Sequence, residues 1–253
     1  MSLKEEIIEF IEKMVLESES KGFFRKPIVG FSSAKNPLYE QLKDIVGPEH
    51  LHPKDILPNA QSVVSFFIPF SESVVKSNKK NIYASRDWGK SYIEGNKLIN
   101  QISEKLIEYL ANKNIDASTI KATHNFDEKT LRSAWSHRSA AYIANMGKFG
   151  INRMIITKEG CAGRFGTVVI SAEIPIEKEE SNIEYCLYYK NGSCLKCIES
   201  CPQDALSIDG FDRFKCYDQV LKNAEELSEI GFCDVCGKCV VSCPFAIKSK
   251  EDK

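Results

Sequence analysis

The stretch GFCDVCGKCVVSCPFAI, residues 231–247, places Cys233, Cys236, Cys239 and Cys243 within eleven residues and follows the last with Pro244. A related run lies upstream: Cys186, then CLKCIESCP, which carries Cys194, Cys197, Cys201 and Pro202. Both contain C-x2-C-x3-C-P. Of the ten cysteines, nine lie between residues 186 and 243; Cys216 stands alone between the runs, and Cys161 is the outlier. The chain opens on MSLKEEIIEFIEKMV, which is not the basic-then-apolar pattern of an export signal. Crowded cysteines in such a chain favour metal binding over disulfides, and with it a reducing, cytoplasmic setting.

The recurring tail selects the metal. C-x2-C-x3-C-P runs carry iron–sulfur clusters of the ferredoxin type, and in two-cluster proteins the cysteine before the proline ligates the other cluster. A turn carrying C-x2-C reaches two corners of a cubane, a nearby cysteine takes a third, and a chain crossover supplies the fourth. Paired C-x2-C motifs also build tetrahedral zinc sites, but zinc gives no reason for the x3-C-P tail to appear twice. Two 4Fe–4S clusters need eight thiolates, one fewer than the region holds. By spacing, Cys233, Cys236 and Cys239 join Cys201 and leave Cys216 spare; in the alternative Cys216 takes that corner and Cys233 is spare. The texture of the chain changes near residue 182, so residues 181–253 are expected to form a ferredoxin-like α+β domain.

Residues 1–180 read as a separate α/β or α+β domain with one main sheet. An amphipathic helix starts at Leu3, with Ser2 and Glu5 as a capping box and Ile7, Ile8, Ile11, Met14 and Val15 on one face. A short strand is expected at 27–31 and a buried one at SVVSFFIPF, 62–70. A long helix follows over 88–112, then a strand within 118–124, an Asn125 or Asp127 helix cap and a helix over 131–145. His124 draws no role. RMIIT (153–157) and GTVVISAEI (166–174) read as strands joined as a hairpin by the glycine-rich turn 160–166. With 43% hydrophobic and 27% charged residues and a formal net charge of −1, no basic surplus points to nucleic acid. The lysines near the end, Lys248, Lys250 and Lys253, read as a solvated tail. No apolar run reaches the roughly 18 residues of a membrane span.

The segment WSHRSAAYIANMGKFGINRMIITKEGCAGRFGTVVISAEIP, residues 135–175, resembles a block of the epoxyqueuosine reductases and corrinoid-dependent reductive dehalogenases. Arg138, Ala144, Met146, Gly147, Gly150, Thr157, Gly163, Arg164 and Gly166 fill that block, with Asn145 where the family usually has glycine. LHPKDILPNAQSVVSFF resembles the family's earlier loop and strand, and the order of parts matches over about residues 25 to 247. The resemblance implies a nitroreductase-like sandwich over 1–180 that holds a cobalamin, with a flavin as the alternative. It also implies clusters that pass single electrons to that cofactor from an external donor such as a ferredoxin or flavodoxin. Its ligand sets are Cys186, Cys194, Cys197 and Cys243 for one cluster and Cys201, Cys216, Cys236 and Cys239 for the other, with Cys233 spare.

Carried over in the same way, the cofactor pocket draws on His137, Arg138, Gly147, Lys148, Gly150, Thr157 and Arg164. His137 and Tyr142 are the candidate proton donors, with Tyr142 also readable as core. Trp88 and Tyr92 read as core or pocket wall, and Cys161 as structural. Two departures bear on the substrate. Leu131 stands where epoxyqueuosine reductases have an aspartate acid, seven residues before Arg138, and it cannot deliver a proton. The family's helical tRNA-binding extension has no counterpart after Cys243. The expected substrate is therefore a small molecule; the second reading is an electron-transfer or reductive-activation protein serving a partner.

Overall fold

The computed structural model describes residues 1–121, 123, 125–176 and 183–248; the boundary expected near residue 180, His124, Lys250 and Lys253 lie outside them. α1 (Leu3–Leu16) carries the reciprocal Ser2–Glu5 box and turns Ile7, Ile11 and Val15 inward. β1 (Ile28–Ser33), α2 (Leu38–Ile45) and α3 (Pro53–Ile56) lead into β2 (Ser62–Pro69), all of whose residues are buried. α4 (Glu72–Ser77) precedes α5 (Arg86–Ala111), whose first turn Ser85 caps through Trp88 N–H. Next come β3 (Ala117–Ser118), β4 (Phe126–Asp127), β5 (Arg132–Ser133), α6 (His137–Ile143), β6 (Gly147–Phe149), β7 (Ile155–Thr157) and β8 (Gly163–Ile170). The cysteine region contributes α7 (Leu187–Asn191), α8 (Lys196–Glu199), α9 (Arg213–Glu226) and α10 (Lys238–Val241). No helix among the described residues is long and apolar enough to cross a membrane.

The main sheet runs β1-β2-β8-β3 with antiparallel neighbours. Side chains alternate across a strand, so Val64, Phe66 and Ile68 of β2 join Ile99, Ile102 and Leu106 of α5. Val63 points the other way, into a second cluster with Trp135, Ala140 and Ile143. Helices therefore cover both faces, which explains why the β2 sequence is unbroken by polar alternation.

Three local expectations change. RMIIT and the following strand do not form a hairpin: β7 pairs with β6, while β8 pairs with β2 and β3. Gly147 permits the β6–β7 pairing, because a Cβ there would lie 2.2 Å from the Ile156 carbonyl oxygen. The helix expected over 131–145 begins only at His137. Asp127 caps a turn to Thr130 and Lys129, Leu131 takes a left-handed φ of 52°, and Arg132–Ser133 pairs back onto Phe126–Asp127. Asp127 thus closes a hairpin rather than a helix, and the strand within 118–124 reduces to the two residues of β3.

The cysteine region docks on the sheet region through apolar and polar contacts. Leu227, Cys233, Val240, Val241 and Ala246 belong to the same apolar cluster as α1, α5 and the inner face of β2. Asn78 Nδ2 donates to the Cys236 carbonyl (2.9 Å), and buried Lys238 Nζ donates to the carbonyls of Asn78 (2.8 Å) and Lys80 (2.9 Å). Gly237, at φ 75°, lets the turn between Cys236 and Cys239 sit against Trp88: a Cβ would fall 2.3 Å from the indole.

Candidate metal and cofactor site

Cys186, Cys194, Cys197 and Cys243 open on one small, partly open cavity, walled by Ile151, Asn152, Ile156, Leu187, Pro244 and Phe245. The apolar wall penalises a bare thiolate. Burial, then the neighbouring Cys243 and Cys186, push the Cys197 thiol up to about 11. A cation in the cavity would reverse that balance, because a metal deprotonates the thiols that ligate it.

A second group forms around α9 and α10. Burial, then Cys236 and Cys201, push Cys216 up to about 11, with Arg138 opposing. Burial, then Cys236, Cys216 and Cys201, raise Cys239 well above the usual thiol range; Cys197 of the first group adds to it. Cys201 and Cys236 thus act on Cys216, and all three act on Cys239. Cys233 stands apart: it is fully buried, and its thiol is raised by burial and then Asp234, with no cysteine contributing. It lies against α5, where a Cβ on Gly89 would come 3.2 Å from its sulfur. Among the described residues no three His, Cys, Asp or Glu side chains gather closely enough for a single ion. Four ligands at about 2.3 Å from one zinc crowd together, whereas the corners of a cubane hold them farther apart.

Beside the second cysteine group lie two arginines, Arg138 and Arg164. Surrounding protein and then Arg164 hold the Arg138 guanidinium below the usual range, with Cys216 and Cys239 opposing. Arg138 Nη1 donates to the Arg153 carbonyl (2.9 Å). Arg164 donates to Asn96 Oδ1 (2.6 Å) and lies 4.6 Å over the Tyr92 ring. Tyr92 Oη donates to Asp234 Oδ1 (2.6 Å) and sits 3.1 Å from Thr123 Oγ1. Asp234 lies two residues before Cys236, so this hydrogen bond ties the phenol to the cysteine-bearing loop. Burial first, then the Asp234 carboxylate, raise the Tyr92 phenol, while Arg164 lowers it.

The sequence-derived candidates divide. His137 is buried, with Nδ1 2.9 Å from Thr167 Oγ1 and Nε2 3.2 Å from the Lys121 carbonyl. A carbonyl only accepts, so Nε2 carries the proton and Nδ1 accepts from the threonine hydroxyl. Burial, with Arg164 adding and the Lys121 carbonyl opposing, lowers its pKa to about 4. The ring is neutral at neutral pH and its proton is committed. Tyr142 is 44% exposed, which overturns its reading as core; it shares the wetted face of α6 with Arg138, one turn away, and leans on Phe149. Gly150 and Thr157 shape the β6–β7 hairpin: Thr157 Oγ1 donates to the Gly160 carbonyl (2.8 Å), and a Cβ on Gly150 would meet Ile156 at 2.8 Å. Lys148 is half-buried on β6. Sequence reasoning missed Asp234 and left Tyr92 as wall, because their pairing spans 142 residues. It read Cys161 as structural, and the residue pairs its N–H with the Phe245 carbonyl, two residues after Cys243.

These features define a class: a mixed α+β protein in which an antiparallel sheet, covered by helices on both faces, stands beside two cysteine groups and a pair of arginines. Epoxyqueuosine reductase from Bacillus subtilis is 27% identical to this chain over 224 residues, 82% of this chain and 52% of that protein. Among solved structures, an epoxyqueuosine reductase bound to a tRNA-Tyr epoxyqueuosine-modified stem loop superposes with a TM-score of 0.58 at 20% identity. The match covers 96% of this chain and 65% of that one. A reductive dehalogenase described with a mechanism for B12-dependent dehalogenation gives 0.58 at 14% identity, covering 84% and 28%. The relatives and the shared fold match the family that residues 135–175 resemble. The chain spans about half the length of the curated relatives it matches. No protein-family model matches it.

Proposed function

We propose that the chain is an iron–sulfur oxidoreductase in which two 4Fe–4S clusters pass single electrons to a corrinoid held by the sheet region, for reduction of a small molecule. The observation that carries this reading is the division of the cysteines. Cys186, Cys194, Cys197 and Cys243 share one cavity, and Cys201 and Cys236 act on Cys216 as all three act on Cys239. Each group has the four thiolates a cubane needs, each joins residues from both C-x2-C-x3-C-P runs as the crossover requires, and Cys233 is left in the apolar core. The effect of Cys197 on Cys239 supports neighbouring clusters, and that of Cys216 and Cys239 on Arg138 supports a cofactor bound near the second.

A corrinoid would supply a cobalt centre able to take low-potential electrons one at a time. The protein's own contribution is orientation and charge. Arg138 and Arg164 supply positive charge suited to a cofactor or substrate bearing negative charge. Tyr92, held by Asp234 and covered by Arg164, is the group that retains a proton at neutral pH, a role His137 cannot fill. An external ferredoxin or flavodoxin supplies the electrons, and the setting is the reducing cytoplasm. Leu131 in place of the family's acid favours a small molecule over a modified tRNA base. The alternative is a relay that serves a partner's cofactor.

Anaerobic reconstitution tests the reading: about eight irons per chain are expected for two 4Fe–4S clusters, whereas two zinc ions and no iron would sink it. Cys216→Ser should lose one cluster and Cys233→Ser should keep both; the reverse pattern overturns the assignment. Added cobalamin should change its absorbance on binding, and Arg138→Ala should weaken that binding. If neither cobalamin nor flavin binds, the relay stands instead.

A further inference from the structure

Lys238 opens α10 between Cys236 and Cys239, and it is only 5% exposed. A lysine is seldom buried so completely without an opposite charge. Its ammonium reaches into the loop between α4 and α5. Nζ donates to the Asn78 carbonyl (2.8 Å), to the Lys80 carbonyl (2.9 Å) and, more weakly, to Asn78 Oδ1 (3.3 Å). The sense of the Asn78 amide is fixed, because Oδ1 also accepts from Ser85 N–H and Nδ2 donates to the Cys236 carbonyl, both at 2.9 Å. A carbonyl or amide oxygen only accepts, so three such partners take three N–H groups, and the nitrogen is an ammonium. All three acceptors are uncharged. Among the described residues no carboxylate pairs with Lys238, and Glu199, which lines a cavity with it, is exposed. The fold thus satisfies the hydrogen bonds of a buried cation and leaves its charge uncompensated, although buried charges are normally paired.

The surroundings identify the missing charge. The Asn78 side chain bridges from Nζ to the Cys236 carbonyl. Ser200 Oγ, beside Cys201, lies 3.4 Å from the Lys238 carbonyl, and Cys201 and Lys238 line one cavity. Cys201, Cys236 and Cys239, three of the four thiols assigned to the second cluster, therefore flank Lys238 in the chain or in space. We propose that the Lys238 ammonium is the internal counter-charge of the second cluster and raises its reduction potential. The inference rests on the cluster assignment given above. A cubane held by four thiolates carries net negative charge and gains one more unit on reduction. A fixed cation beside it stabilises the reduced state more than the oxidised one. Net charge is among the determinants of cluster potential, and a charge acts more strongly in the protein interior than in water. The three hydrogen bonds keep the ammonium from swinging out to solvent, where its field would be screened. With no free lone pair, the nitrogen is not a ligand.

The test uses the full chain, reconstituted without oxygen, in four forms: unaltered, Lys238→Gln, Lys238→Met and Lys238→Arg. Glutamine keeps N–H donors for the loop carbonyls and removes the charge, methionine removes both, and arginine keeps both. Iron analysis and a dithionite redox titration followed by electron paramagnetic resonance are read for each. All four should hold about eight irons. Lys238→Gln and Lys238→Met should lower the equilibrium constant for reducing one cluster about tenfold, or about 59 mV for one electron, and move the other less. Lys238→Arg should stay nearer the parent. Unchanged potentials in Lys238→Gln overturn the proposal, since the lysine would then only pin the loop of Asn78 and Lys80. So does an arginine variant that keeps its iron and yet shifts as far as glutamine. Loss of about half the iron in Lys238→Gln and Lys238→Met alike would make the residue a structural support and also overturn the proposal. Failure of the cluster assignment itself is visible beforehand, as an unaltered protein that takes up no iron.

Discussion

Sheet region and cysteine region differ in what holds them. In residues 1–176 every position of β2 is buried, and helices close both sheet faces with residues such as Ile102, Leu106 and Ala140 at 1% exposure or less. In residues 183–248 three of the four helices have five residues or fewer, too short to stand by propensity. The longest, α9, buries only Gln219, Asn223 and Ala224. Phe211, Phe214 and Phe232 stay exposed there, while Leu227, Val240 and Val241 are lent to the core of the other region. The first region stores its stability in apolar burial. The second depends on its neighbour and on whatever its thiols hold.

Stripping iron from the reconstituted protein should break the comparison most sharply. Amides of 194–201 and 236–243 are expected to lose nearly all protection from hydrogen exchange, while those of β2 and β8 keep theirs, because metal-binding free energy is folding free energy for the segments it staples. Equal loss in β2 would show that the sheet region depends on the clusters too. The converse experiment acts on the core. Ile102→Ala, at a fully buried position of α5, should cost about 2–5 kcal/mol in denaturant unfolding and leave the iron content unchanged.

The third prediction concerns acid. The folded-state pKa of His137 is lowered to about 4 from an ordinary 6.5, so the unfolded chain binds the proton more readily. The contribution is fully present above pH 6.5 and is lost as pH falls towards 4, about 3 kcal/mol in all. His137→Gln should flatten this part of the pH profile of stability. If the parent and the variant lose stability in parallel over that range, His137 is not the group responsible. The sheet region would then owe its acid sensitivity to other groups.

The parts readable from sequence share a physical trait: their signal is local. The capping box at Ser2, the apolar period of α5 and the unbroken β2 run each fix an element from adjacent residues. The failures share the opposite trait. RMIIT followed by a glycine turn looks like half a hairpin, but Cys161 and Ala162 find their partners in Phe245 and Ala246, more than eighty residues away. Leu131 to Ser136 carries helical periodicity, yet the Asp127 turn and the short β4–β5 pairing hold that stretch out of helix. His137 looked like an acid–base group because residue type says nothing of burial, and its environment turns it into a neutral structural ring.

The cysteine spacing by itself determined that this chain gathers thiols in two groups joined by a crossover, because ligand geometry imposes fixed short intervals on neighbouring residues. Taken alone it put Cys233 rather than Cys216 in the second group. Tertiary packing separates them, burying Cys233 against Gly89 of α5 and turning Cys216 from α9 towards Cys201, Cys236 and Cys239. Packing likewise brought Cys161 to Phe245 and Tyr92 to Asp234. Interval along the chain encodes what adjacent backbone can reach, whereas a meeting of distant side chains depends on the core that brings their elements together.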